Sequence, residues 1–299
     1  MNKDLKIDYL RRIFYPFKKD GKLDSFVFHY LQGSGNELKE KFWSPRSSSR
    51  LCFDLYSWMG SDDGYSVIQF EKKLPGIKSG ARQISPNMDV YFESGNEIVF
   101  IESKYTETAL NKNYLKDLPE AYWNTDQVYL SVSGKKVNYS IGERYHNKKK
   151  VMDEFVSFIN SISALAEKEE SPSWFDAKQE TCHLLGIVLY ALEKKPTGHI
   201  YFNNVAANYD DNQFATQFSI LAEEMVRRIL SAYSISASFD YQLCSVRDYF
   251  GSLLLLDKKA YQSDKTVREI ISDRKLYKEP VLWYLLMVKS SSHSPTPMA

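Results

Sequence analysis

Two β-rich runs on either side of a short polar tip are the feature that most constrains the fold of this chain. The first run carries Asp89, the tip reads Ser94-Gly95-Asn96, and the second run spans residues 98–104 and ends in Glu102-Ser103-Lys104. β-Branched and aromatic residues favour strands, and a short tip with Gly and Asn between two such runs is typical of a hairpin. The sequence therefore predicts two antiparallel strands, with an acid on one and a Glu-x-Lys tripeptide on the other.

The length of the turn decides which residue faces Asp89. Side chains two residues apart on a strand point to the same face, so Glu102 and Lys104 share a face. A two-residue loop at Ser94-Gly95 sets Asp89 opposite Phe100, and a four-residue loop sets it opposite Glu102. Both registers keep Asp89 on the Glu102 face at about 5 to 8 Å, whereas a three-residue loop turns it away unless a bulge intervenes.

The charges on this hairpin need compensation, because the run Ile98-Val99-Phe100-Ile101 is typical of an interior strand. Magnesium would provide it, since this ion takes one or two carboxylates together with water and substrate phosphate. Lys104 could then orient or help deprotonate the attacking water and stabilise charge on the phosphate. The alternative is a structural ion pair of Lys104 with Glu102 or Asp89, the common interpretation of an isolated Glu-x-Lys.

These residues resemble the motif of the PD-(D/E)XK superfamily, the restriction-endonuclease-like nucleases. Asp89 matches the motif Asp, and Glu102-Ser103-Lys104 matches the Glu-x-Lys. The usual Pro-Asp pair is interrupted here and reads Pro86-Asn87-Met88-Asp89. A second block, residues 35–49, is similar to the opening of an uncharacterised bacterial restriction-endonuclease-like family, and the combined resemblance covers residues 35–107 and, more weakly, extends to about residue 233.

The resemblance implies a Mg²⁺ ion, for which Mn²⁺ can substitute, held by Asp89, Glu102 and the carbonyl of Ser103. It also implies that Lys104 acts in the chemical step, and it places Glu37, on a helix before the first strand, as a further acid. Glu37 could equally form a surface pair with Lys41 at i,i+4.

Two other residues are candidates for completing the site. Glu71 could support the metal from the strand before Asp89, or it could be a solvated charge at a strand end. Gln179, with Lys178 beside it, begins a strongly apolar helix, and many superfamily members carry Gln or a basic residue on such a helix. The alternative for Gln179 is an ordinary polar first turn capped by Asp176.

The order of predicted elements is helix, three strands, helix, strand, helix. This order predicts an α/β fold with a restriction-endonuclease-like αβββαβ core, a central mixed sheet flanked by helices. We expect one domain over residues 1–289, with its core at about 35–104 and 174–233, an insertion at about 105–173 and a C-terminal accessory helical region at about 240–289. Residues 290–299 are expected to be a disordered tail.

Charge and composition restrict the partners. The 299 residues are 43% hydrophobic, enough for a substantial core, and the net charge is only +1, so an overall basic field for nucleic acid is absent. Residues 135–150 hold six basic side chains against one acid, and they could follow a phosphate backbone or form a solvated face. Because the nuclease-like motif is present, DNA is the expected partner. The sequence does not decide between DNA and RNA as the substrate, or between a monomer and a homodimer as the active form.

The cysteines and the N-terminus indicate a compartment. Three cysteines that are widely separated and lack metal-ligand spacing are typical of a reducing environment. The first residues lack an apolar signal core, and no run of about eighteen apolar residues is present to cross a membrane. We therefore expect a cytoplasmic protein with no membrane partner.

Three classes of function are consistent with these features. The first is a Mg²⁺-dependent endonuclease acting on DNA, of restriction or defence type. The second is a nuclease-like fold that binds nucleic acid or serves in assembly without cleavage, which the presence of Asp89, Glu102 and Lys104 together disfavours. The third is an unrelated metal-dependent hydrolase of small phosphoesters, which would need a closed pocket.

Overall fold

The computed structural model describes residues 29–30, 48–56, 67–79, 82–104, 143–207, 209–245 and 249. The helices within these ranges are α1 (Ser48–Tyr56), α2 (Glu143–Ala166), α3 (Ala177–Lys194) and α4 (Gln213–Ala232). The strands are β1 (Val67–Lys73), β2 (Ile77–Ser79), β3 (Arg82–Ile84), β4 (Asn87–Ser94), β5 (Glu97–Lys104), β6 (His199–Ala206) and β7 (Ser238–Ser245).

A mixed five-stranded sheet forms the centre of the fold, in the order β1-β4-β5-β6-β7. β1, β4 and β5 are antiparallel neighbours, and β6 and β7 continue the sheet parallel to β5. The parallel step from β5 to β6 requires a long crossover, and α2 and α3 lie within it. The α/β class and the mixed sheet flanked by helices are therefore confirmed.

The hairpin between β4 and β5 turns at Gly95-Asn96, with Ser94 paired with Glu97. Gly95 has a φ of 55°, in the left-handed region that glycine adopts without a Cβ penalty, and tight hairpin turns use such positions. The loop thus has two residues, but it lies one residue later than the Ser94-Gly95 loop considered above. Its register is that of the four-residue alternative, in which Asp89 aligns with Glu102.

Helices cover both faces of the sheet. Phe70 of β1 aligns through Val90 with Ile101 and packs against Phe53 of α1, with ring centroids 5.8 Å apart. Phe100, next to Ile101, points to the opposite face and meets Tyr190 of α3 at 5.5 Å. Side chains alternate along a strand, so these contacts place α1 on one face and α3 on the other.

The helical layer on the α3 face extends over β6 and β7. Phe218 of α4 contacts Tyr241 of β7 at 6.2 Å and Phe158 of α2 at 5.3 Å. Val151, Phe155 and Phe158 of α2 belong to the same buried cluster as α3 and α4. Residues 143–166, expected within an insertion, therefore contribute to the main hydrophobic core.

One expectation needs correction at the edge of the fold. The accessory helical region was expected from about residue 240, but residues 238–245 form β7, an edge strand of the central sheet. Its pattern is apolar at Phe239 and Tyr241, which face the α4 layer, and this period-two pattern is that of a strand. Tyr249 is helical; the other residues from 246 onward, including the expected tail, lie outside the described residues, as do residues 105–142.

Among the described residues, no helix is both long enough and apolar enough to cross a membrane.

Candidate active site at the end of β5

Backbone pairing is interrupted on both sides of Asp89. Between β1 and β4, paired residues lie before and after Glu71 and Asp89, but these two are not paired with each other, and Glu71 has a φ of 51°. Between β4 and β5, the pairing ends at Val90 and Ile101. A non-glycine residue in the left-handed region costs on the order of 1–3 kcal/mol, and such strain concentrates at functional sites.

Asp89 makes a side-chain contact where its backbone pairing ends. Its Oδ2 accepts the backbone N–H of Ser103 at 2.8 Å, one residue after Glu102. The negative charge of Asp89 also contributes, after burial, to raising the pKa of the Cys52 thiol on α1. Asp89 therefore lies beside β5 at the level of Glu102 and close to the α1 face of the sheet.

Glu102 and Lys104 lie two residues apart on β5, and their side chains meet under α3. Lys104 Nζ is 2.8 Å from Glu102 Oε1, and both residues are buried. Gln179 connects them, because its Nε2 donates to Glu102 Oε1 at 2.7 Å and its Oε1 accepts from Lys104 Nζ at 2.6 Å. The three residues form one hydrogen-bonded unit on one face of the sheet.

The start of α3 has both of the roles considered for it. Asp176 caps the helix, since its Oδ1 accepts the backbone N–H of Gln179 at 3.0 Å. The side chain of Gln179 is at the same time directed to Glu102 and Lys104. The capped first turn therefore presents the amide to the motif residues.

The sequence interpretation missed a second buried polar group behind Glu102. Glu180 accepts hydrogen bonds from Asn204 of β6 and Tyr241 of β7, at 2.8 and 2.7 Å. Burial, followed by the nearby negative charge of Glu102, raises the pKa of Glu180 well above the usual glutamate value. The one available signal was the pair of polar residues Asn203 and Asn204 inside the apolar run of β6, where a polar side chain needs a partner.

His183 is a further buried polar residue next to Glu102. It is buried, packs edge-on against Phe202 at 6.1 Å, and places Nδ1 3.6 Å from Glu102 Oε2. Burial and then the positive charge of Lys104 lower its pKa to about 3. His183 is therefore neutral around pH 7, one helical turn after Gln179.

Acidification should destabilise the protein through His183. Between a folded pKa of about 3 and the ordinary value of 6.5, the unfolded state binds more protons, so stability falls as pH falls through this window. The slope from this one group is about 1.4 kcal/mol per pH unit. His183→Gln cannot take up a proton, and urea unfolding across the window should show a correspondingly shallower dependence on pH than the wild type. The raised pKa of Glu180 changes stability with pH in the opposite direction, but both proteins contain Glu180. Equal dependence of stability on pH in the two proteins would contradict the prediction.

The oxygen donors at this position fit a hard cation. Asp89 and Glu102 carry carboxylates at the same level of neighbouring strands, Asp89 near the α1 face and Glu102 under α3, and carboxylate oxygens are the ligands that Mg²⁺ prefers. The N–H of Ser103 faces Asp89, and since the N–H and C=O of one strand residue point to the same side, its carbonyl faces β4 as well. In the described part of the chain, no group of three or more His, Cys, Asp or Glu residues is arranged as a complete metal site.

The remaining candidate residues lie in different places. Glu37 lies outside the described residues. Glu71 is buried and accepts a hydrogen bond from Ser49 of α1 at 3.2 Å, so it is not a solvated strand-end charge. Of the basic segment 135–150, the side chain of Lys150 is described; it is exposed and lines a groove with Arg227 and Arg228 near the C-terminal end of α4.

Comparison with protein-family models, with curated proteins and with solved structures found no match. What this site does is therefore inferred from its geometry and its chemistry.

Proposed function

We propose that this protein is a Mg²⁺-dependent endonuclease that hydrolyses DNA phosphodiester bonds, of restriction or defence type, with a restriction-endonuclease-like core. The observation that carries the proposal is the unit formed by Glu102, Lys104 and Gln179, with Asp89 beside it at an interruption of the sheet. A structural ion pair would need only the Glu and the Lys. Two carboxylates, a lysine and a bridging amide together are the equipment for hydrolysing a phosphodiester.

Charge at the site supports the same chemistry. Burial raises the pKa of Glu180 and so favours its neutral form, whereas Glu102 is the buried carboxylate that pairs with the Lys104 ammonium. Uncompensated ionised groups are costly to bury, and a divalent cation between Asp89 and Glu102 would offset the charge of these two carboxylates. When bound, Mg²⁺ would lower the pKa of a water molecule and neutralise charge on a phosphate.

The chain's own residues have distinct roles in this proposal. Asp89 and Glu102, with the carbonyl of Ser103, hold the cation. Lys104 donates hydrogen bonds to the attacking water or to the phosphate, where charge develops. Gln179 keeps the lysine and the glutamate in place, because its amide can accept from the first and donate to the second at the same time.

The test is cleavage of supercoiled and linear DNA in the presence of Mg²⁺, Mn²⁺ or chelator. We expect nicking or linearisation with either metal and none with chelator. Glu102→Gln is the matched variant, because it retains an oxygen that accepts hydrogen bonds but loses the charge; it should be inactive. RNA in the same assay decides the nucleic acid. If the wild type cleaves neither, the binding or assembly function replaces this proposal.

The proposal also covers location and assembly. Cys52, Cys182 and Cys244 are not joined in a disulfide, as in proteins of a reducing compartment. This agrees with a cytoplasmic protein that meets DNA directly. Cutting both strands could use a homodimer, and light scattering of the protein with and without DNA would measure the assembly state.

A further inference from the structure

A buried glutamate joins α3 to two strands of the sheet. Glu180 Oε1 accepts from Asn204 Nδ2 of β6 at 2.8 Å, and Glu180 Oε2 accepts from the hydroxyl of Tyr241 of β7 at 2.7 Å. Glu180 and Asn204 are fully buried, and Tyr241 is nearly so. Both oxygens of one carboxylate are thus used to connect a helix to neighbouring strands.

This connection lies at the level of the candidate active site. In the parallel register of β5 and β6, Asn204 is aligned with Glu102. Glu180 follows Gln179 in the first turn of α3, so one residue binds Asn204 while its neighbour binds Glu102 and Lys104. The position of α3 at this level therefore decides whether the Gln179 amide reaches both motif side chains.

The cap of this turn has a different effect. The Asp176 cap satisfies a backbone N–H of α3 itself and leaves the distance between helix and sheet undetermined. By contrast, the two bonds of Glu180 cross from the helix to β6 and β7. Tyr241 is in turn held by stacking on Phe202, with ring centroids 4.7 Å apart and planes 16° apart.

We propose that Glu180, Asn204 and Tyr241 form a positioning unit that holds the first turn of α3 against the sheet and so keeps the Gln179 amide between Glu102 and Lys104. The consequence for catalysis rests on the proposed nuclease function; the effect on Gln179 does not. A displacement of about 1 Å at a reacting group can cost on the order of 100-fold in rate, so the loss of this unit should lower kcat.

Three variants separate positioning from general destabilisation. Glu180→Ala removes both bonds. Glu180→Gln retains them, because the new amide can accept from Asn204 and donate to the Tyr241 oxygen. Thr181→Val is the matched control, since Thr181 is the next residue, is equally buried, and bonds only within α3 to the carbonyl of Ala177 at 2.7 Å. Tyr241→Phe removes one bond and retains the ring stacking, and it takes the place of Glu180→Ala if that variant does not fold.

The first measurement is the NMR signal of the Gln179 side-chain NH₂, assigned from its absence in Gln179→Met. In the wild type, Glu180→Gln and Thr181→Val, we expect a resolved signal protected from solvent exchange. In Glu180→Ala it should move to the position of a solvated amide and exchange rapidly. An unchanged Gln179 signal in Glu180→Ala, or equal loss of the signal in Thr181→Val, would overturn the positioning unit.

The second measurement is cleavage kinetics. Glu180→Ala should lower kcat about 10- to 100-fold with little change in KM, and Glu180→Gln should retain most of the rate. A KM effect alone, or equal losses in the Ala and Gln variants, would contradict positioning. If the wild type cleaves no nucleic acid, the proposed function fails, and the NMR result by itself decides whether the positioning unit exists.

Discussion

Replacing Lys104 with methionine should reduce DNA cleavage by a factor of about 100 to 1,000 while metal binding stays the same or becomes tighter. The lysine ammonium is 2.8 Å from Glu102 and 2.6 Å from the Gln179 oxygen, so it is held in place before substrate arrives. It cannot ligate a cation while protonated, and its positive charge opposes a metal at Glu102. Single-turnover cleavage and calorimetric Mg²⁺ titration measure the two effects separately.

Methionine is chosen because it keeps an unbranched apolar stem in a buried position. Lys72→Met is the matched control: Lys72 is also a lysine of the central sheet, but it bonds to Gln69 at 2.7 Å and lies over the Tyr91 ring. The control should cleave at the wild-type rate. An active wild type with an equally active Lys104→Met variant would show that Lys104 has no part in the chemical step.

Replacing Asp89 with asparagine should abolish stabilisation of the protein by Mg²⁺. Asparagine can still accept the N–H of Ser103, so the contact at 2.8 Å is retained and only the charge is lost. A ligand present at 100 times its Kd stabilises the folded state by about 2.7 kcal/mol, which shifts the melting temperature by several degrees. Thermal unfolding with and without Mg²⁺ should show this shift for the wild type and none for Asp89→Asn.

Glu71→Gln is the comparison that locates the site. Glu71 lies opposite Asp89 in the register of β1 and β4 and bonds to Ser49, so its replacement removes the same charge from the adjacent strand. We expect Glu71→Gln to retain most of the Mg²⁺ stabilisation. Full stabilisation in Asp89→Asn with none in Glu71→Gln would place the cation at Glu71.

The hairpin shows how far local sequence patterns reach. Alternation and turn composition predicted β4 and β5, their antiparallel pairing and the shared face of Glu102 and Lys104, all of which depend on residues close in the chain. The length of the turn was left open. The loop has two residues, Gly95 and Asn96, and the pairing of Ser94 with Glu97 gives the register expected for the four-residue loop.

The interruption at Asp89 could not be read from the sequence. It requires β1 and β5 to lose their pairing with β4 at the same position. It also places the backbone of Glu71 in the left-handed region, which no glycine at this position indicates in the sequence. Residue patterns describe regular strands, whereas this irregularity depends on what packs against both neighbours of Asp89.

Around Gln179, too, local features were predicted from the sequence and long-range contacts were not. The Asp176 cap and the apolar face of α3 are local and were predicted. Glu180 and its partners were not, because Asn204 is 24 and Tyr241 is 61 residues further along the chain, and β7 was expected to be helical.

The sequence by itself determined the strands of the hairpin, the capped start of α3 and the residue types available for binding a hard cation, because each depends on neighbours along the chain. Only the tertiary structure decided which side chains meet: the parallel crossover to β6 brings Asn204 level with Glu102, and α3 then packs so that Gln179 bridges Glu102 and Lys104. The hydrogen bonds of Gln179 join residues about 75 positions apart. Burial of the apolar faces of α3 and of the sheet brings these residues together, and no short segment of sequence specifies that burial.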